Sequence, residues 1–484
     1  MDNDKKEAES REEKLENIKS AGVNPYPSKT ERSLCIKDAK KTKDKVTIAG
    51  KIVSIRSHGK STFIDLQDET DLVQVYFKFD VIGEEGYNFL KNIDVGDYIE
   101  ASGEIFKTKT GELTLATSSY KILTKTLLPL PDKWYGLKDT ELRYRKRFLD
   151  FLINQDVRKN IELRSKLVDS LRAFMKKNDF IEVETPILQS IPGGASAKPF
   201  TTHYNILKQD MYLRIAPELY LKRLIVGGFE KVFEIGRQFR NEGLSHMHNP
   251  EFTSMEFYWA YQDYESLMKF TEELISFVVK ESRGSTKIKY QDDELNFAPP
   301  YPRITFDALI EKDCGINIYQ YPEFEDLKAE VIKKKIDLNL KEIKVWPKLA
   351  DELYKKVSRP KIIQPIFVID HPLQLVPLAK AKEDNPLKSQ AFQLVCAGGL
   401  ELIKAYSEQN DPTEQEARFK EQVRLSKAGW DESNMMDENF VEALKYGLPP
   451  TAGWGMGIER FAMILANQYS IKEVIAFPTL KNIK

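Results

Sequence analysis

The sequence predicts two folded domains of different class: a small five-stranded β-barrel near the N-terminus and, after it, a large α+β domain on an antiparallel or mixed sheet. Between Lys37 and Thr126 lie five short segments rich in β-branched and aromatic residues: VTIAGKIVSIR, STFIDLQD, LVQVYFKFD, DYIEASGEIF and ELTLATSSY. Gly and Asp separate them, as turns require. The stretch TKTLLPLPDKWYGLKD then sets Pro129 and Pro131 one residue apart, which favours an extended, stiff connection. Beyond it, strand-like and helix-like segments follow in an irregular order, unlike a regular βαβ array.

Composition bounds the rest. A chain of 484 residues that is 41% hydrophobic has ample material for buried cores, which excludes a wholly disordered protein. No apolar run approaches the length of a membrane span, and MDNDKKEAESREEKLE is charged with no apolar stretch behind it, so the expected location is the cytoplasm. Cys35, Cys314 and Cys396 lie far apart without a CxxC pair. That spacing excludes a disulfide scaffold and a Cys-based zinc ribbon and leaves buried, inert thiols as the expectation. With 73 basic against 74 acidic residues, any nucleic-acid surface must be local.

Taken in order, residues 1–35 open with a short exposed charged helix, with Leu15 and Ile18 three apart, stopped by Gly22, Pro25 and Pro27. The barrel is expected over 36–125. Five strands in about 90 residues suit an OB-fold, the commonest five-stranded nucleic-acid-binding barrel. Between Lys37 and Lys60, eight basic residues (Lys37, Lys40, Lys41, Lys43, Lys45, Lys51, Arg56, Lys60) face two acidic ones, Asp38 and Asp44. That excess suits a nucleic-acid surface, and on charge alone it suits a solvated lysine face equally well. A linker is expected at 126–140 and the large domain over 141–484. In the large domain Val157, Ile161, Val168, Leu171 and Met175 mark one face of a long helix. FIEVETPIL follows as a strand closed by a proline-limited turn. Residues near 284–360 read as a lysine-rich helical insertion on the outside of the domain, without chemistry of its own.

Three clusters outside that insertion carry chemistry. FEIGRQFRNEGLSHMHNPEFTSMEFY sets Arg237, Arg240, Glu242, His246, His248, Glu251 and Glu256 between two strand-like runs. Such a density of opposed charge suits a site for a charged ligand, with arginine's planar fork matched to phosphate. A surface ion-pair ladder on a hairpin is the alternative. His246 and His248 alone are a weak metal signal. TAGWGMGIERFAMILAN alternates Gly453, Gly455 and Gly457 before an amphipathic run, so a strand with one bare face enters a helix. A flat ligand could lie against that face, with Arg460 in the first helical turn meeting a phosphate. In GGLELIKAYSEQNDP, strand alternation puts Lys404, Tyr406 and Glu408 on one face and Glu401 on the other unless a bulge intervenes; an ordinary edge strand fits too.

From REEKLENIKSAGVNPYP to IKEVIAFPTLK the chain resembles the class II lysyl-tRNA synthetases, of the class IIb subgroup. Neither HIGH nor KMSKS, the class I signatures, occurs. The long helix with FIEVETPIL resembles motif 1, the FRNE segment motif 2 and GWGMGIERF motif 3. IPGGASAKPF, RIAPELYLK and GLPPTAGWGMGIER are more similar to the lysine enzymes than to their aspartate and asparagine relatives. The resemblance implies an OB-fold anticodon-binding domain, a class II synthetase catalytic domain on an antiparallel sheet, and a homodimer formed through motif 1. Its activity would be ATP-dependent activation of L-lysine, then transfer to the 3′ end of tRNA(Lys), with Mg2+ as cofactor and no membrane partner.

Residue by residue, the resemblance implies that Arg240 contacts the α-phosphate of ATP and the lysine carboxylate, with Glu242 and Arg460 completing the catalytic set. Asn241, Glu242, His248, Asn249, Phe252, Glu401, Leu402, Gly457 and Arg460 would bind ATP, with Phe252 under the base and Arg460 on the γ-phosphate. Gly194 and Glu218 would hold the lysine α-ammonium, and Glu256, Tyr258, Lys404, Tyr406 and Glu408 would line the rest of its pocket. Phe63, Gln74 and Glu112 would read the central anticodon uridine. The chain departs from the pattern at the metal. Glu401 matches one of two usual magnesium-binding glutamates, but Gln393 stands near the other with one extra residue between them, and Lys404 replaces an asparagine. The expectation is one remaining ion held mainly by Glu401, with Lys404 taking over part of the role of the second. The alternative is Lys404 turned away or paired with Glu401 or Glu408. Rival readings are an aspartyl or asparaginyl synthetase on the same fold and a non-catalytic tRNA-binding homologue.

Overall fold

The computed structural model describes residues 2–130, 139–195, 197–427 and 436–482. The chain divides into two compact units, Met1–Asp139 and Thr140–Lys484. Most of the connection expected at 126–140, Pro131 included, lies outside the described residues.

In the first unit five strands close into a barrel in the order Val46–His58, Ser61–Gln67, Leu72–Lys78, Leu113–Thr124, Tyr98–Lys107. Alternation drives the closure: Thr62, Ile64 and Leu66 point inward from one strand, Val73, Val75 and Phe77 from the next, and the residues between stay at the surface. The N-terminal helix, Asp2–Ser20, is longer and less exposed than expected. Arg11, Leu15 and Ile18 share a buried face, and Arg11 donates to Thr126 Oγ1 at 2.8 Å and to the Val95 carbonyl at 3.0 Å. A buried arginine on the helix face hid that stripe from a hydrophobic pattern. The basic stretch is also more balanced than its sequence window suggests. Lys40 pairs with Asp71, Lys41 with Asp38 and Arg56 with Asp65, so two of the neutralising carboxylates come from outside the window.

In the second unit an eight-stranded sheet runs Arg303–Thr305, Ile366–Ile369, Ala391–Cys396, Leu400–Ser407, Thr451–Gly457, Glu251–Ala260, Lys231–Phe239, Ile181–Glu182. Its six inner strands are antiparallel, and each edge strand pairs in parallel. The strand Leu400–Ser407 is therefore central, not an edge. FIEVETPIL supplies only the two-residue pairings Ile181–Glu182 and Leu188–Gln189, because Pro186 between them lacks a ladder donor. The segment 284–360 does not lie wholly outside: Arg303–Thr305 is a sheet edge, and Phe306, Leu327, Leu349 and Tyr354 pack against Val368 and Val395 of the sheet.

One face of the sheet is covered by the helices Gln155–Lys177 and Tyr264–Arg283. The second begins at an Asp263/Ser266 capping box and ends at Gly284. Trp454 stacks on Phe257 at 5.0 Å and donates its Nε1–H to Thr271 Oγ1 at 3.0 Å. On the long helix Val157, Leu171 and Met175 are buried as expected, but Ile161 and Val168 are half-buried, and Asn160, Leu167 and Phe174 take the inner stripe. Of the cysteines, Cys396 is buried and its thiol pKa is pushed up by burial, while Cys35 and Cys314 are only half-buried. Among the described residues no helix is long and apolar enough to cross a membrane.

Candidate active site

The opposite face of the sheet carries the site, with the helix Glu218–Val226 packed at one end of it against Val232 and Tyr258. Along Glu251–Ala260, Phe252, Ser254, Glu256 and Tyr258 fall on that face because side chains alternate, while Met255 and Phe257 enter the core. Thr451–Gly457 runs between this strand and Leu400–Ser407, in the register Tyr258–Gly453–Tyr406 and Glu256–Gly455–Lys404. A β-carbon on Gly453 would collide with Glu408 Oε1 and the Tyr258 ring. At Gly455 it would sit 3.4 Å from Glu256 Cγ, and at Gly457 it would meet nothing within 4 Å. The bare strand is thus filled by neighbouring side chains at one end and open at the other. A bulge at Leu402, where Glu401 pairs with Val395 and Ile403 with Leu394, turns Glu401 to the same side as Lys404 and Tyr406.

The result is a cavity of about 580 Å³ with two electrostatic ends. Glu218, Glu256, Tyr258 and Tyr406 line the acidic end. Gly194, at φ +83°, comes so close to Glu218 that a β-carbon would stand 2.8 Å from the Glu218 Cβ. Burial, with Glu218 nearby, pushes the Glu256 carboxyl up to about 8. Tyr406 Oη donates to Glu218 Oε1 at 2.8 Å. Glu408 is buried behind this wall rather than lining it, and its Oε2 pairs with the ammonium of Lys222.

Arg240, Lys355, Arg359, Lys404 and Arg460 line the opposite end, together with Glu242 and Glu401. Arg240 lies 5.0 Å from the Phe252 ring centroid, and its buried Nε has no hydrogen-bond partner among the described residues. Arg460 donates to the Glu401 carbonyl at 3.2 Å and lies 3.4 Å from His248 Nε2. Burial and the positive charge of Arg460 hold His248 below its ordinary pKa, so its imidazole is neutral at pH 7. Burial would raise the Glu401 carboxyl, but Arg460, Arg359 and Lys404 outweigh it and hold it low. Lys404 is half-buried, and its ammonium makes no ion pair or hydrogen bond among the described residues, so it pairs with neither Glu401 nor Glu408.

The metal set departs from expectation at Gln393. Its Nε2 donates to Glu401 Oε2 at 3.0 Å and its Oε1 accepts from Tyr354 at 2.8 Å, so both ends of the amide are engaged and no free acceptor faces an ion. Among the described residues no group of three or more His, Cys, Asp or Glu side chains could hold a metal. Of the expected pair of carboxylates only Glu401 is present, at the cationic end of the cavity.

Other expected residues fall into two groups. Gly457, Leu402, His248 and Asn249 line the cavity, although the Asn249 amide is already engaged by the Glu251 carbonyl and the Thr479 N–H. Asn241, Arg237 and His246 do not line it; His246 stacks on Tyr469 at 4.6 Å, and Arg237 is exposed. Glu459 is structural, accepting from the Thr253 N–H at 2.9 Å and from Arg164 at 2.7 Å. Sequence reasoning missed Lys222, Lys355 and Arg359. The four-residue spacing of Glu218 and Lys222 in ELYLK signals a shared helix face, whereas nothing local marks Lys355 or Arg359.

On the barrel, Phe63 stacks on Tyr76 at 4.8 Å across paired strands. Gln74 donates to Glu112 at 3.2 Å and accepts from Thr114 at 3.0 Å. The three expected anticodon residues thus share one outer face with Tyr76, which the alternation of LVQVYFK placed beside Gln74.

A family model described as tRNA synthetases class II (D, K and N) matches residues 139–481, and one described as an OB-fold nucleic acid binding domain matches 46–123. The chain is 46% identical to a protein named lysine–tRNA ligase from Pelotomaculum thermopropionicum, over 97% of this chain and 94% of that one. It is 46% identical to one so named from Dehalococcoides mccartyi, over 97% and 96%, and 44% identical to one from Thermosipho africanus, over 98% and 96%.

Proposed function

Because the chain belongs to the class II tRNA synthetases (D, K and N), we propose that it is a lysine–tRNA ligase that activates L-lysine with ATP and transfers it to the 3′ end of tRNA(Lys). The observation that carries the choice of amino acid is the acidic end of the cavity: Glu218 and Glu256 line it, Glu408 stands behind, and Lys222, between Glu218 and Glu408, is already paired with both. A buried ammonium needs such carboxylates to offset its desolvation, whereas an aspartate side chain would meet like charge.

The two ends of the cavity order the reaction. The substrate's ammonium groups would face Glu218, Glu256 and Glu408, and its carboxylate would turn toward Arg240. That carboxylate is already a nucleophile at neutral pH, so no general base is needed. Catalysis then rests on holding it in line with the α-phosphorus while Arg240, Arg460, Arg359 and Lys404 balance charge on the phosphates. A magnesium ion carried by ATP would add charge neutralisation, with Glu401 as its protein ligand. Lys404 lends part of that neutralisation itself, as an unpaired ammonium beside the phosphates.

The barrel face of Phe63, Tyr76, Gln74 and Glu112 would bind the anticodon, with aromatic rings for stacking and an amide and a carboxylate for base edges. A homodimer acting in the cytoplasm completes the reading. ATP/pyrophosphate exchange measured across the amino acids tests it. Exchange with lysine well above that with aspartate and asparagine is expected, followed by lysine transfer to tRNA(Lys). Exchange with aspartate or asparagine instead would overturn the lysine assignment, and no exchange with any amino acid would favour a non-catalytic role.

A further inference from the structure

Lys222 lies fully buried behind the acidic wall of the cavity, one helical turn after Glu218. A buried ammonium persists only where anions surround it. Its Nζ donates to Glu218 Oε1 at 2.6 Å and pairs with Glu408 Oε2, while the rings of Tyr258, Tyr406 and Phe440 stand 5.6 to 5.9 Å away. Each carboxylate is engaged on one side only. Tyr406 also donates to Glu218 Oε1, which leaves Glu218 Oε2 without a hydrogen bond among the described residues. Glu408 Oε1, packed against Gly453 and the Tyr258 ring, is likewise without one.

We propose that Lys222 is a specificity-determining positioning residue. It clamps one oxygen of Glu218, in the cavity wall, to one of Glu408, buried behind that wall, and so fixes how far apart the two negative charges stand, and that separation selects a diamino acid of lysine's length. Burial holds protons on the Glu256 and Glu408 carboxyls of the empty protein; once substrate ammonium groups have displaced them, Glu218, Glu256 and Glu408 against Lys222 leave two negative charges, the complement of two ammonium groups. Without Lys222 the two carboxylates repel each other and lose their fixed spacing. The inference rests on lysine being the substrate.

Lys222→Met keeps most of the side-chain volume and removes the charge. ATP/pyrophosphate exchange is measured with lysine and with ornithine, which is one methylene shorter. The expected kcat/KM for lysine falls roughly 100-fold, as for a broken buried ion pair. Ornithine loses far less, so the lysine-to-ornithine ratio drops about tenfold or more, and the KM for ATP is unchanged. Equal losses for both amino acids, or no loss, would overturn the clamp, since a lysine that merely supports the fold would affect both alike. If circular dichroism finds the variant unfolded, the parent carries the test. Its kcat/KM across ornithine, lysine and homolysine must peak at lysine, with each neighbour down by about tenfold or more; a flat profile overturns the proposal. A parent inert toward lysine would sink the lysine reading itself. A parent that activates lysine beside a folded variant of unchanged ratio sinks only the clamp.

Discussion

Glu256 couples the pocket to pH. Burial and the neighbouring Glu218 raise its carboxyl to about 8, with Glu234 adding to the rise and Arg240 and Arg214 opposing it, so the free protein carries a proton there at neutral pH. A substrate ammonium binds the ionised form, and its arrival expels that proton. The KM for lysine in the exchange assay should therefore fall as pH rises from about 6.5 to about 8.5, and Glu256→Gln should flatten the profile. A KM that is flat or rises with pH in the parent would show the carboxyl to be ionised already. For the empty fold the sign is the reverse: a raised carboxyl pKa favours folding at low pH, and that contribution is lost as pH climbs toward about 8. Lys404 makes a second residue-scale case. Its unpaired ammonium lines the cationic end beside Glu401. Lys404→Asn should need several-fold more magnesium for half-maximal lysine activation, because one fixed positive charge has gone. A variant as fast as the parent at every magnesium concentration would refute a phosphate role.

At the scale of elements, the strand Thr451–Gly457 separates packing from ligand space. Gly453→Ala puts a β-carbon into Glu408 and Tyr258. It should lower stability by about 1 to 3 kcal/mol and sharply reduce lysine activation. Gly457→Ala meets nothing within 4 Å and should stay within about 0.5 kcal/mol of the parent. Thermal melts on the two variants check the contrast, and equal shifts would mean that the glycine pattern serves the backbone alone. The barrel strands make a parallel prediction. Phe63→Ala and Glu112→Ala remove one half of the Phe63–Tyr76 stack and one partner of Gln74. Charging of tRNA should weaken by ~1 to 3 kcal/mol per lost stacked base, while lysine-dependent exchange stays near the parent rate. Matched losses in both assays would mean that these residues support the fold.

For the whole molecule, the long helix leaves Ile161 and Val168 half-covered, and Ile181, Ile187 and Leu188 in the following segment are 45 to 51% exposed. Exposed apolar surface of this kind gains free energy when a second copy covers it. Light scattering at micromolar concentration should give a mass near twice the chain's 55.9 kDa; a single-chain mass would contradict the dimer.

Local pattern was enough for much of this protein. Strict alternation in STFIDLQ and LVQVYFK determined which barrel residues turn inward, because a strand has only two faces. The TAGWGMG pattern likewise determined that Trp454 enters the core while Gly453 and Gly455 turn away from it. The charged hairpin around Arg240 and the motif resemblance marked the cavity wall before any fold was drawn. Tertiary structure decided what depends on distant segments. The bulge at Leu402 settled the face of Glu401. The packing of 303–361 against the sheet brought Lys355 and Arg359 to the cavity, and both ends of the Gln393 amide were taken by Glu401 and Tyr354. The pairing of Lys222 with Glu408 belongs there too, since 186 positions in sequence separate two groups that share one buried ion pair. Sequence periodicity reports the face a side chain takes on its own element; the partner it meets depends on how the elements stack, and desolvation makes that partner decisive for a buried charge.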